Sequence, residues 1–144
     1  LFKFINFLFV RYLLDTCVVS DFVKGDSNTS QKLKSVSPED IAVSAITSME
    51  LKYGLANNPQ RAVKIQPLID SFLSSVTILT FGEEEAKQTA QIRNLLKQLG
   101  TPIGAYDVLI AATAITHKLI IVTANVREFE RIPNLQIQNW RNDK

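Results

Sequence analysis

Four short apolar runs, Tyr12–Leu14, Ile41–Val43, Val76–Leu79 and Leu119–Val122, constrain this chain more than any other feature. Each is nearly all apolar, with little of the in-out alternation of a strand that has one wet face. Strands of that kind sit in parallel sheets, where helices cover both faces. A weaker run, 135–137, offers a fifth strand. The segments between are long enough for helices, expected near 18–24, 30–37, 46–56, 60–74, 83–99 and 104–117, with a short one over Val126–Phe129. Strand and helix in alternation predict an α/β fold: a central, mostly parallel β-sheet of four to five strands flanked by helices on both faces.

A length of 144 residues suits one domain. With 46% hydrophobic and 21% charged residues the chain falls outside the composition of disordered segments. A net charge of +2, without dense Lys/Arg blocks, permits nucleic-acid binding but does not signal a dedicated basic arm. The single cysteine, Cys17, excludes an internal disulfide and a cysteine zinc cage and fits a reducing, cytoplasmic setting. Residues 1–10 are apolar but too few for a membrane span, which takes about 20. They also lack a small-residue cleavage site. They read as an N-terminal extension that need not be native to the domain, with 11–144 as a single domain and no membrane partner.

In open α/β sheets ligands bind beyond the carboxyl ends of the strands, so polar residues there are the first candidates for function. Asp15 directly follows the first strand; it either belongs to a site or caps the next helix. Thr16 shares both readings, and Cys17 reads as a packing residue rather than a nucleophile. Glu50 shares a helical face with Ile46, Tyr53 and Gly54, which would turn its carboxylate inward. The alternative is a capping box, Glu50 folding back to the N–H of Thr47. Asp107 interrupts an apolar stripe of Ile103, Ile110, Ala111 and Ala114; a buried carboxylate there calls for a cation or a hydrogen-bonded loop. Thr123 and Asn125 follow the fourth strand, where a turn or an N-cap competes with a site role. His117 is the only histidine and reads as an exposed residue near a helix end. Lys24, Lys52, Arg61, Lys64, Arg93 and Lys97 could meet phosphates, but surface cations usually only solubilise.

Three segments, Tyr12-Leu13-Leu14-Asp15-Thr16, Val43 through Gly54 with Glu50 in its middle, and Pro102 through Ala112 around Asp107, resemble the motifs of PIN domains. A fourth, Val122 through Leu135 followed by Trp140, resembles the tail of VapC-type toxins. The order and spacing of all four together are far more specific than any one of them. The resemblance implies a PIN-like fold and a metal-dependent endoribonuclease using Mg²⁺, with Mn²⁺ as a substitute. It also implies a toxin held inactive by a cognate antitoxin, with an RNA substrate and homodimerisation. Carried over by position, Asp15, Glu50 and Asp107 match the family's acidic residues and its metal ligands, and Asn125 its fourth position; Thr16 and Thr123 would support them. Two departures stand out: Cys17 occupies a place where relatives often have Asn, and Asn125 brings no charge. A catalytically silent RNA- or protein-binding module is the alternative. Another α/β phosphoesterase ranks lower, because neither an Asp-x-Asp pair nor a phosphate-binding Gly-x-x-x-x-Gly-Lys loop is present.

Overall fold

The computed structural model describes residues 10–141. The extension anticipated over 1–10 lies outside that range except for Val10, which is buried in the core. Five strands, β1 (Tyr12–Leu14), β2 (Ile41–Ser44), β3 (Thr77–Leu79), β4 (Ile120–Val122) and β5 (Ile137–Gln138), form one sheet in the order β3-β2-β1-β4-β5. All four pairings are parallel, with Tyr12 opposite Ile41 and Leu14 opposite Val122. The chain steps outward from β1 to β3, then returns to place β4 on the other side of β1. This reversal opens a crevice between the carboxyl ends of β1 and β4, where such sheets bind ligands.

Successive strand residues point to opposite faces, and the core divides accordingly. Leu13, Ala42 and Ile121 face helices α5 (Glu83–Leu99) and α6 (Ala105–Thr116), packing with Ile92, Leu96, Val108 and Ile110. The small side chains of Ala111, Ala112 and Ala114 let α6 lie close to its neighbours. Tyr12, Leu14, Ile41, Val43 and Val122 face the other layer. There α1 (Thr16–Val23), α3 (Ala45–Asn57) and α4 (Pro59–Ser75) contribute Val18, Val19, Leu51, Ile69 and Phe72. Trp140 closes this layer, its ring edge-on to Tyr12 at 5.4 Å. Arg141 then forks both oxygens of Asp21 and ties the end of the described chain to α1.

Two helices begin earlier than anticipated, for one reason. Asp15 Oδ1 accepts from the N–H of Thr16 and starts α1 there rather than at residue 18. Asp26 Oδ2 accepts from both the N–H and the hydroxyl of Thr29, starting α2 (Ser27–Lys34) at Ser27 rather than near 30. Capping by these side chains outweighed the weak apolar periodicity used to place the starts. The fifth strand is shorter and later than the run at 135–137, because Ile137 and Gln138 are the residues that pair with β4. A one-turn helix, α7 (Val126–Phe129), follows β4. Among the described residues no helix is long and apolar enough to cross a membrane.

Candidate active site

Asp15 is buried at the carboxyl end of β1, and each of its oxygens has a fixed donor. Oδ1 takes the Thr16 N–H at 2.8 Å and Oδ2 takes the Thr123 hydroxyl at 2.8 Å, across the crevice between β1 and β4. The Cys17 thiol is 3.5 Å from the same Oδ2. Asp15 is therefore both a helix cap and a member of the cluster: one oxygen serves each of the two roles considered for it. Burial, then the Asp15 charge, push the Cys17 thiol up from its ordinary value, so it serves as a protonated donor and not as a nucleophile.

Glu50 arrives from α3. The capping box over Thr47 does not form, because the N-cap is Ser44, whose Oγ accepts the Thr47 N–H at 3.0 Å. Glu50 Oε1 instead accepts the Thr16 hydroxyl at 2.7 Å, with Thr47 Oγ1 3.2 Å from that hydroxyl. The face beneath Glu50 is also not the packed one anticipated: Tyr53 is 67% exposed and Gly54 is open, so the carboxylate lies at the rim of a groove.

Asp107 enters from the first turn of α6, half-buried. Its carboxyl is pushed up from the usual range to about 7 by burial first, then by the charges of Asp15 and Glu128, a hydrogen bond shared with Glu128, and the charge of Glu50. Four carboxylates thus act on one another at the sheet edge, the fourth being Glu128 on α7. The sequence reading missed Glu128. Its signal was the i, i+3 spacing from Asn125 inside a one-turn helix directly after β4, which puts both on one face. Asn125 does not use its side chain to cap α7; its amide donates to Glu128 Oε2. The backbone N–H of Asn125 goes to Thr123 Oγ1 at 2.9 Å, so the Thr123 hydroxyl accepts from the loop while donating to Asp15.

The structure thus gathers Asp15, Glu50, Asp107, Thr16, Thr123 and, through Glu128, Asn125. The arrangement is not a finished cage: among the described residues, no three His, Cys, Asp or Glu side chains stand ready to hold a metal ion. Burial and the neighbouring carboxylates instead favour the protonated form of Asp107, which takes one charge out of the cluster. His117 departs from its anticipated exposure. It is half-buried at the end of α6, with Nε2 2.9 Å from Glu85 Oε2, and Glu85 is itself buried. About ten residues of helix, roughly 15 Å, separate it from Asp107.

The family model described as PIN domain matches residues 12–135. The tRNA(fMet)-specific endonuclease VapC of Salmonella typhimurium is 34% identical over 133 residues, covering 91% of this chain and 98% of that protein. Ribonuclease VapC2 of Rickettsia felis is 36% identical over 131 residues, covering 90% and 97%. Among solved structures, the DNA-bound VapBC of Salmonella typhimurium superposes with a TM-score of 0.83 at 34% identity, covering 91% of this chain and 98% of that one. FitAcB of Neisseria gonorrhoeae superposes with a TM-score of 0.82, also at 34% identity, covering 92% and 99%. Sheet order, the carboxylate edge and these likenesses agree: the chain belongs to the PIN-domain family, in its VapC ribonuclease toxin branch.

Proposed function

We propose that this chain is a metal-dependent endoribonuclease, the toxin of a toxin–antitoxin pair, which hydrolyses RNA phosphodiester bonds with water as the nucleophile. The observation that carries this reading is the gathering of Asp15, Glu50, Asp107 and Glu128 at one sheet edge, where burial first and then the neighbouring carboxylates push the Asp107 carboxyl up to about 7. Like charges kept together at the mouth of a crevice favour a cation. The donor set is all oxygen, the preference of Mg²⁺, with Mn²⁺ a workable substitute, and the protonated Cys17 thiol offers no competing soft ligand.

Asp15 and Asp107 would hold the ion, with Glu50 joining them or orienting the attacking water. When bound, the ion supplies Lewis acidity toward the phosphate and lowers the pKa of water. The protein's own groups do the positioning. Thr123 and Thr16 fix the oxygens of Asp15 and Glu50, and Asn125 holds Glu128 against Asp107. Attack by water leaves a 5′-phosphate and a 3′-hydroxyl. A route through the ribose 2′-hydroxyl would want an acid–base pair, and His117 is occupied by Glu85 at the far end of α6.

Relatives crystallised as VapBC complexes support a cognate antitoxin as a protein partner. A second copy of the chain is the other: Met49 and Tyr53 on α3 and Tyr106 on α6 are exposed on helices that touch each other. RNA as substrate implies a cytoplasmic address. The deciding experiment is digestion of total cellular RNA by purified protein with Mg²⁺ or Mn²⁺, beside EDTA and an Asp15→Ala, Asp107→Ala double variant. Discrete fragments that vanish in both controls are expected. A folded protein that cleaves nothing and binds neither ion would be a silent binding module instead.

A further inference from the structure

We propose that the groove between α1, α3 and α4 carries the RNA strand away from the Glu50 side of the site, with Lys24 and Arg61 contacting its phosphates. The inference rests on the nuclease reading and adds a direction to it. Two grooves carry a pair of cations. The larger, about 770 Å³ between α5 and α6, holds Arg93 and Lys97 but none of the four carboxylates. The smaller, about 270 Å³, begins at Thr16 and Glu50 themselves and runs past Lys24 and Arg61. Size would choose the first and continuity with the chemistry chooses the second. A strand being cut must leave the site along a surface that touches it.

The charge distribution supports this direction. Lys24 and Arg61 are exposed, and neither side chain is engaged with another described residue. Arg141, Lys87 and Arg131 are engaged, with Asp21, Glu84 and the Pro102 carbonyl; Arg93 and Lys97 of the larger groove are as free as Lys24 and Arg61, so contact with Thr16 and Glu50 is what separates the two grooves. The far end of the groove adds the N-terminus of α4, where Asn58 Oδ1 accepts the Arg61 N–H at 3.3 Å and the helix presents its positive end. Leu55 and Ile65 provide an apolar floor for sugars and bases. From Glu50 to Asn58 along α3 is about 12 Å, a span of a few nucleotides. Carboxylates at one end and unpaired cations at the other would hold a polyanion in one register, its reacting phosphate at the acidic end and its flanking phosphates at the basic end.

The test uses the full chain and a short fluorescein-labelled single-stranded RNA. Binding is followed in EDTA, where no cleavage occurs, across a range of salt, and cleavage kinetics are then read with Mg²⁺. Lys24→Ala and Arg61→Ala should each raise KM by about three- to tenfold with kcat retained, and each should lower the slope of log Kd against log salt by about 0.7. Arg93→Ala and Lys97→Ala should change neither. Both groove positions are exposed, and a thermal melt of each variant checks that it folds. A double groove variant with wild-type KM and salt slope would overturn the inference. Loss of antitoxin binding with RNA affinity intact would overturn it too, assigning the groove to a protein segment. Failure of the wild type to cleave any RNA would instead remove the nuclease reading, while the salt slope in EDTA would still report on the groove.

Discussion

Helices α5 and α6 start alike and end up opposite in electrostatic character. Each has a glycine N-cap and an acid three residues later: Gly82 with Glu85, Gly104 with Asp107. Glu85 reaches back to the Gly82 N–H at 2.8 Å and gives its other oxygen to His117. Burial pushes its carboxyl up, yet the Gly82 and Glu85 backbone N–H groups and His117 outweigh burial and leave it below the usual glutamate range. Asp107, one methylene shorter, makes no such cap and faces Asp15, Glu128 and Glu50. The same local sequence grammar thus yields a staple in one helix and a strained carboxyl in the other. The difference lies in what the rest of the fold brings to meet each acid.

Asp107→Asn should have the largest effect. Cleavage is expected to fall by at least about a hundredfold, the scale of losing a positioned acid–base or ligand group. Stability in EDTA at neutral pH should hold or rise, because repulsion is relieved. Thermal melts and cleavage rates on the same preparation decide it, and a marked loss of stability would make Asp107 a staple after all. Glu85→Ala should do the reverse, lowering stability by about 1–3 kcal/mol through an unpaired cap and the lost Glu85–His117 contact, with cleavage per folded molecule unchanged in the same assays.

pH separates the two acids further. The raised Asp107 value means that the metal-free folded state binds a proton more tightly than the unfolded chain does. Its unfavourable contribution is absent below about 3.8 and complete above about 7. The melting temperature of wild type should therefore fall behind that of Asp107→Asn as pH rises through this window. Glu85, with a lowered value, contributes stability that is present above about 4.5 and lost as pH falls through its folded value. The gap between wild type and Glu85→Gln should thus stay flat at neutral pH and close in acid. A Tm series in EDTA tests both signs.

The smallest effect is expected at the caps. A Cβ on Gly104 would lie 3.1 Å from Asp107 Oδ2, whereas one on Gly82 would lie 3.5 Å from Glu85 Oε1, an ordinary contact. Gly104→Ala should reduce cleavage a few-fold while stability changes by less than about 1 kcal/mol. Gly82→Ala should leave cleavage alone. Equal rates for the two variants would mean that the Asp107 carboxyl has room to move.

What could be read before the structure follows from range. The strands were legible because unbroken apolar runs mark burial on both faces, and Asp15 because it directly follows one of them. Glu50 and Asp107 stood out by placing charge in helical faces with apolar neighbours, although the Glu50 face proved to be a groove rim. The starts of α1 and α2 were misplaced because capping by Asp15 and Asp26 depends on side-chain geometry that periodicity does not carry. Glu128 and the Glu85–His117 pair went unread for a different reason. Each depends on where a separate element docks, α7 beside Asp107 and the end of α6 beside α5, and no local window contains both partners.

The hydrogen bond from Thr123 to Asp15 joins residues 108 positions apart, on strands that neighbour each other only after the chain has run outward and come back. During synthesis, Asp15 must wait for another 108 residues before its partner leaves the ribosome. Asp107 and Glu128 emerge later than most of the sheet as well. A truncated product ending before β4 would carry Asp15 and Glu50 without the crevice that brings them into use. Under the proposed function, the site would be completed only as the last strands join the sheet.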